Sequence, residues 1–187
     1  MSKSRTIQPF TERERVERTI RECINELLKN DLCLLQKDMS ERAITHKLAE
    51  YLQDRIPDLD VDCEYNRNVE DGPYAGKLLD ALRTEREEII RNCPSEDDLL
   101  AVSTYPDIIV HRRLTNVDNF LVIEVKKSNS QVKHAYDHAK LMAFTDDGGG
   151  KPYHYKYGVF VLLETKTESP KKPKLTWFIN GKMESES

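Results

Sequence analysis

The sequence predicts an α/β fold, because segments in which apolar residues recur at helical spacing alternate with short runs of strand character. The strongest strand signal is a pair of runs rich in β-branched residues, 105–113 and 119–127, joined by a short polar segment. Such a pair is typical of adjacent antiparallel strands. The strongest helix signals are two amphipathic segments near 11–29 and 39–56, each of which opens with a capping pattern.

The composition is that of one polar globular domain: of 187 residues, 38% are hydrophobic and 33% are charged. No apolar run reaches the roughly 20 residues that cross a bilayer, and the amino terminus lacks an apolar signal core. We therefore expect a cytoplasmic protein without a membrane partner. Four separated cysteines with no C-x-x-C pair indicate neither a zinc site nor a disulfide framework. The net charge of −4 disfavours a general nucleic-acid coat protein but leaves room for a local basic groove.

The first two helices carry explicit start signals. Thr11 and Glu14 form a capping box, and the helix that they open should run to about Lys29. Its exposed face is rich in arginine and glutamate, which is typical of a solvated surface. For the second helix, Asp38 and Glu41 form another capping arrangement, and the next proline should end it.

The remaining elements continue the alternation. A strand is expected over 61–67, and two more follow the strand pair, at 155–163 and 174–180. Residues 68–104 contain a turn cluster, one helical pattern and an acidic break, and we expect them to form an insertion. The chain 1–187 is thus expected as a single domain, divided into an N-terminal helical extension (1–38), a core (39–163) and a C-terminal strand and tail (164–187).

A helix of about 131–145 is expected after the strand pair, and it begins at a Ser-Asn-Ser cap. Its predicted packing stripe consists of Val132, Ala135, Ala139 and Met142. Polar residues, Lys133, Asp137 and Lys140, are expected on another face.

The strand pair predicts an unusual meeting of two acids. If the chain turns about Thr115 and Asn116, Asp107 lies directly opposite Glu124, with Cβ atoms about 4.5–5.5 Å apart. Like charges at that distance are destabilising unless they are neutralised, and carboxylate oxygens favour Mg²⁺ or Mn²⁺. Residues two apart in a strand share a face, so Lys126 would add a positive charge beside Glu124.

This combination, Pro106-Asp107 on one strand and Glu124-Val125-Lys126 on the next, resembles the signature of the PD-(D/E)xK nuclease superfamily. With 68–104 set aside, the element order over 39–163 resembles the restriction-endonuclease-like αβββαβ core, a central mixed sheet flanked by helices. The resemblance implies that Asp107 and Glu124 bind Mg²⁺ or Mn²⁺ and that the main-chain carbonyl of Val125 adds an oxygen. It also implies that Lys126 is the catalytic lysine.

Glu41 has two interpretations. Many members of the superfamily bring an acidic residue from the first core helix to the metal, and Glu41 lies at the matching place. The competing interpretation is a cap with Asp38, which needs no metal. Glu50, further along the same helix, is a weaker substitute as a ligand.

The helix after Lys126 supplies candidate phosphate contacts: Lys133, Tyr136 and Lys140. Some members of the superfamily carry Q-x-x-x-Y after the lysine, and this chain departs from that pattern, because the tyrosine comes one place too late. His134 and His138 are four apart, a spacing that can bind zinc, but no third ligand is indicated nearby. We therefore expect these histidines on a solvated face.

The sequence and the resemblance thus predict a divalent-metal-dependent nuclease with catalytic residues Asp107, Glu124 and Lys126, for which DNA is the favoured substrate although no residue distinguishes DNA from RNA. Cutting both strands would favour a homodimer. The alternative from a different class is a nuclease-fold module that binds nucleic acid or a partner protein without cutting. A third interpretation is an α/β protein that acts on another phosphate ester.

Overall fold

A computed structural model describes residues 11–64, 105–130, 134–148 and 153–184. The helices are α1 (Glu12–Asn30), α2 (Leu32–Gln36), α3 (Glu41–Arg55) and α4 (His134–Thr145). The strands are β1 (Asp60–Cys63), β2 (Ile108–His111), β3 (Leu121–Lys127), β4 (Tyr157–Leu163), β5 (Lys174–Ile179) and β6 (Lys182–Met183). Within those ranges, no helix is long and apolar enough to span a bilayer. The predicted insertion 68–104 and the end of the strand predicted at 61–67 lie outside the described residues.

All six strands belong to one open sheet in which the strand order follows the chain order. Every neighbouring pair is antiparallel except β3 and β4, which run parallel and are connected through α4. A parallel pair requires a crossover, and the helix supplies it. The α/β class is confirmed, with a mixed sheet and helices.

The predicted hairpin register is also confirmed. Ile108 pairs with Ile123 and Val110 with Leu121, which is the pairing that a turn about residues 115–116 predicts. Asp107 lies immediately before β2, one step beyond the last pair. The register therefore brings Asp107 next to Glu124.

Alternation along the central strands places two apolar clusters on opposite faces of the sheet. Ile108, Ile123 and Val125 belong to the cluster that contains α1, α2 and α3. Ile109 and Val122 belong to the cluster that contains α4. The α4 face of β3 therefore also carries the charged side chains of Glu124 and Lys126.

One predicted helix start is confirmed and the other is wrong. The Thr11 hydroxyl oxygen accepts from the Glu14 N–H at 3.2 Å, and the Thr11 N–H donates to the Glu14 carboxylate at 2.7 Å. At α3 the cap is Ser40, not Asp38. Asp38 has a φ of 53°, outside the helical region, and its carboxylate binds lysines elsewhere in the fold. The short helix α2 was not predicted.

The predicted packing stripe of α4 is wrong in part over the described residues, because Met142 packs against the apolar cluster under α4 but Ala135 does not. Ala135 is exposed, Ala139 and Met142 are half-buried, and Val132 lies outside the described residues. The side chains that α4 buries are Tyr136, Asp137, Lys140, Leu141, Phe144 and Thr145. The reason is that the first half of α4 packs on the charged part of β3, so its inner face carries charges of its own.

Candidate active site

Asp107 is held against β3 by a main-chain contact. Its Oδ2 accepts a hydrogen bond from the Val125 N–H at 2.7 Å, and its own carbonyl accepts from the Glu64 N–H at 3.3 Å. The half-buried carboxylate of Asp107 is thus bonded to the residue of β3 that directly follows Glu124. Burial raises the pKa of Asp107 to about 6, although the ammonium groups of Lys140 and Lys126 oppose the rise.

Glu124 is fully buried and only half satisfied. Its Oε2 accepts a hydrogen bond from Lys140 Nζ at 2.8 Å, whereas its Oε1 has no hydrogen-bond partner among the described residues. Burial raises the pKa of Glu124 well above its ordinary value, and the neighbouring carboxylates of Asp107 and Asp137 raise it further. The site therefore holds carboxylates that are short of positive charge.

Five side chains form a line of alternating charge that we call the charge chain: Glu124, Lys140, Asp137, Lys126 and Glu41. Successive nitrogen–oxygen distances along it are 2.8, 3.4, 3.8 and 3.1 Å. The chain begins on β3, crosses to α4, returns to β3 and ends at the first residue of α3. It therefore ties both helical layers to the central strand through charged groups.

Glu41 closes the charge chain with both of its oxygens. Its Oε2 accepts from Lys126 Nζ at 3.1 Å, and its Oε1 accepts from the Lys127 N–H at 3.2 Å. Glu41 therefore joins the start of α3 to the end of β3, and it does not act as a cap partner of Asp38. Its assignment as a metal ligand stays a prediction. Glu50 pairs with Lys47 and His46 on the exposed side of the helix.

Both lysines of the charge chain are protonated at neutral pH. Burial lowers the pKa of Lys126, but the carboxylates of Asp137 and Glu41 outweigh it, and the pKa lies above its ordinary value. Burial also opposes the charge of Lys140, yet Glu124 and Asp137 raise its pKa further still. The raised pKa favours the charged form of the Lys126 side chain.

The site carries more carboxylates than ammonium groups. Four carboxylates, those of Glu41, Asp107, Glu124 and Asp137, meet two ammonium groups, which leaves a formal excess of two negative charges. Among the described residues no group of three or more His, Cys, Asp or Glu side chains is arranged to hold a metal ion. Mg²⁺ is commonly bound through one or two carboxylates with water and phosphate oxygens completing its shell. Asp107, immediately before β2, and Glu124 on β3 supply two carboxylates at neighbouring positions, and their binding of a metal ion stays a prediction.

The predicted nucleic-acid contacts have different positions from those expected. Lys133 lies outside the described residues. Tyr136 is 1% exposed and Lys140 is 2% exposed, and the Lys140 ammonium lies 5.5 Å from the centre of the Tyr136 ring. Contact of these residues with a phosphate stays a prediction, and in this structure Lys140 is bound to Glu124.

Asp137 is a site residue that sequence reasoning missed. It is fully buried, lies between the two lysines of the charge chain, and neither of its oxygens has a hydrogen-bond partner among the described residues. The signal in the sequence was an acid and a base three residues apart, Asp137 and Lys140, on the helix that directly follows Lys126. That spacing places both on one helix face.

A pocket of about 210 Å³ adjoins Asp107. Its lining residues come from α3 and from the ends of β1 and β2: Arg42, Thr45, His46, Cys63, Glu64 and Asp107. The Thr45 hydroxyl is buried and has no hydrogen-bond partner among the described residues, whereas Thr19 and Thr145 each donate to a carbonyl one turn earlier in their helices. The pocket that adjoins Asp107 is thus lined by a hydroxyl donor without a hydrogen-bond partner among the described residues.

The two histidines of α4 are not on a solvated face. His134 and His138 are half-buried, and their rings lie 5.0 and 4.8 Å from the ring of Phe160. His138 also contacts Phe178, and burial lowers the pKa of His138. They pack as part of the aromatic cluster under α4.

Neither the protein-family models, nor the curated proteins, nor the solved structures with which the chain was compared match it.

Proposed function

We propose that the protein is a divalent-metal-dependent nuclease of the PD-(D/E)xK type, with DNA as its substrate and a restriction-endonuclease-like arrangement of its core. The observation that carries the proposal is the position of Asp107, whose carboxylate accepts a hydrogen bond from the Val125 N–H. Val125 follows Glu124 directly and lies two residues before the end of β3. Metal-assisted phosphodiester hydrolysis needs carboxylates to hold the ion, and a lysine nearby can stabilise the charge that develops on the phosphate.

In this proposal Asp107, Glu124 and the main-chain carbonyl of Val125 hold Mg²⁺ or Mn²⁺, which supplies Lewis-acid activation of the attacking water. Glu41 joins the ligands only by releasing Lys126, because both of its oxygens are engaged by Lys126 and Lys127. The unpartnered Oε1 of Glu124 is the oxygen that is free to face the ion.

Lys126 acts as a charge and not as a base. Because its ammonium group stays protonated, it stabilises negative charge that develops on the phosphate and orients the attacking water. Asp137 and Glu41 hold the ammonium group in place from two sides, at 3.8 and 3.1 Å. A fixed charge of this kind needs no rearrangement during the reaction.

The phosphodiester reaches Asp107 through the adjoining pocket. Arg42 lines it and is exposed, with its guanidinium 2.7 Å from Glu64, so it is available to exchange that partner for a phosphate. The unpartnered Thr45 hydroxyl can donate to a phosphate oxygen. Both residues are on α3, within one turn of each other.

The test is cleavage of supercoiled plasmid, linear duplex and single-stranded DNA in Mg²⁺ or Mn²⁺ by the wild type and by Asp107→Asn, Glu124→Gln and Lys126→Met. We expect wild-type cleavage that EDTA abolishes, and a loss of about 100-fold or more in each variant. Glu50→Gln and Lys171→Met, which alter exposed charges, are matched controls and should keep full activity. Full cleavage by all three site variants in folded protein would overturn the proposal.

The second candidate is a nuclease-fold module that binds nucleic acid or a partner protein without cutting. The observation in its favour is that Glu124 already has a cationic partner, Lys140, at 2.8 Å. Calorimetric titration with Mg²⁺ and Mn²⁺ separates the two candidates. A module of this kind binds neither ion, and Glu124→Gln leaves its nucleic-acid affinity unchanged.

A further inference from the structure

Lys140 is an unusual residue for the interior of a protein. It is 2% exposed, and a lysine is almost never buried to that extent unless its charge is paired. Its Nζ donates to Glu124 Oε2 at 2.8 Å and lies 3.4 Å from Asp137 Oδ1. The whole side chain is thus committed to the acidic cluster.

The two lysines of the charge chain have different partners. Lys126 Nζ donates to Glu41 and lies 3.8 Å from Asp137, whereas Lys140 is the lysine that bonds Glu124. Glu124 divides its oxygens accordingly: Oε2 goes to Lys140, and Oε1 is buried without a hydrogen-bond partner among the described residues. A cation that binds Glu124 in addition to Lys140 can therefore contact Oε1 alone, and it must share Oε2 with Lys140.

We propose that Lys140 is a resident counter-cation, which holds Glu124 and Asp137 in place without metal and competes with the divalent cation for Glu124. The inference rests on the proposed function in taking Glu124 as a ligand. Without the Lys140 ammonium group, four carboxylates would face one lysine, and the buried acids would repel one another. When the Lys140 ammonium group is present, it is bonded to Glu124 and repels a divalent cation that binds to Glu124 and Asp107.

The consequence is a trade between metal-free stability and metal affinity. Replacing Lys140 by methionine keeps the length and apolar stem of the side chain but removes the charge. The acids then lack a cation in the folded protein, so the metal-free protein should be less stable. The same change removes the repulsion against Mn²⁺, so Mn²⁺ should bind more tightly and restore the stability that was lost.

The experiment compares the wild type, Lys140→Met and Lys171→Met, a control on an exposed lysine, by Mn²⁺ calorimetry and by melting in EDTA and in MnCl₂. We expect Lys140→Met to have a lower Tm in EDTA, a larger rise of Tm with Mn²⁺ than the wild type, and a Kd for Mn²⁺ lower by about tenfold or more. Lys171→Met should match the wild type in all three. A Kd for Mn²⁺ in Lys140→Met equal to or weaker than that of the wild type overturns the inference.

A variant that does not fold in EDTA still gives a decision. Lys140→Met is then refolded in MnCl₂ and followed by circular dichroism: recovery of the native spectrum supports the inference, and failure to recover it overturns the inference. The double variant Glu124→Gln/Lys140→Met removes the ligand charge together with the lysine and should lose the gain in Mn²⁺ affinity.

The inference and the proposed function fail in different ways. If Lys140→Met binds Mn²⁺ more tightly but the wild type cleaves no DNA, the role of Lys140 as a counter-cation is supported and the proposed nuclease function is rejected. If the wild type cleaves DNA in a metal-dependent way and Lys140→Met binds Mn²⁺ with the same affinity as the wild type, the nuclease function is supported and the role of Lys140 is rejected.

Discussion

The carboxylate of Asp107 and the main-chain N–H of Val125 are joined by a hydrogen bond of 2.7 Å. An acid that precedes β2 is thereby attached to the strand that carries Glu124 and Lys126, and its position depends on the sheet rather than on a free side-chain rotamer. The contact stabilises the local geometry, but it also brings a second carboxylate close to buried Glu124. Such an arrangement costs stability and is typical of functional sites.

Neutralising Asp107 should therefore stabilise the metal-free protein. Asp107→Asn keeps an acceptor for the Val125 N–H and removes one of the excess negative charges. We expect its free energy of unfolding in EDTA at pH 7 to be higher than that of the wild type by about 1 kcal/mol, measured by urea denaturation.

The matched control is Asp107→Ala, which removes the charge and the acceptor together. It leaves the Val125 N–H without its partner, so it should be less stable than Asp107→Asn by about 1–2 kcal/mol. If Asp107→Asn were less stable than the wild type in EDTA, the acids would not be in electrostatic conflict.

Glu41 provides a second test, because its two oxygens have different partners. Glu41→Gln retains an acceptor for the Lys127 N–H and loses the charge that faces Lys126, whereas Glu41→Ala loses both contacts. We expect Glu41→Ala to lower the free energy of unfolding by about 1–3 kcal/mol and Glu41→Gln to lower it by less.

Chemical denaturation of both variants beside Glu50→Gln, whose carboxylate lies on the exposed side of α3, provides the comparison. Equal losses in Glu41→Ala and Glu50→Gln would mean that the link between α3 and β3 contributes nothing to stability.

Gly158 on β4 tests how closely α4 packs on the sheet behind the site. A Cβ at this position would lie 2.9 Å from Thr145 Cγ2 and 3.1 Å from Phe178 Cβ. Gly158→Ala should therefore destabilise the protein by about 1–3 kcal/mol through overpacking, and melting experiments would measure the loss.

The double variant Gly158→Ala/Thr145→Ser supplies the control. Serine lacks the methyl group that clashes but retains the hydroxyl that donates to the Leu141 carbonyl at 2.8 Å. It should recover part of the lost stability. If the double variant were no more stable than Gly158→Ala, contact with the Thr145 methyl group would not be the cause of the destabilisation.

The parts of this structure that the sequence predicted depend on local geometry. The capping box at Thr11 needs only residues three apart, and the pairing of β2 with β3 follows from the turn between them. The shared face of Glu124 and Lys126 follows from the two-residue period of a strand. Each of these predictions needs no knowledge of distant residues.

The parts that the sequence did not predict depend on partners far along the chain. Asp137 and Lys140 were assigned to a face of α4 away from its packing stripe, and Lys140 was also a candidate phosphate contact. They are buried because the strand beneath them carries Glu124 and Lys126, and only the tertiary arrangement shows that these charges match. Asp38 was assigned to a cap because Glu41 follows it by three residues, although its partners in the fold, Lys127, Asn129 and Lys166, lie far away in the sequence.

Asp38 gives the last prediction, a dependence of stability on pH. Its carboxylate accepts a hydrogen bond from Asn129 and pairs with Lys127 at 2.9 Å and Lys166 at 3.1 Å. The pairing with Lys127 is the largest of the effects that hold the pKa of Asp38 well below its ordinary value. A carboxylate whose pKa is lowered by folding contributes stability above its unfolded pKa, about 3.9, and that stability is lost as the pH falls further.

Asp38→Asn isolates this contribution, because asparagine has the same shape and tolerates the positive φ of 53°. We expect the variant to have a lower Tm than the wild type at pH 7, corresponding to about 1 kcal/mol, and the difference to shrink at pH 3. Lys171→Met, at an exposed pair, should show little difference at either pH. An equal deficit of Asp38→Asn at pH 7 and pH 3 would mean that the contribution of Asp38 is steric, because a charge effect must weaken once the unfolded chain takes up the proton.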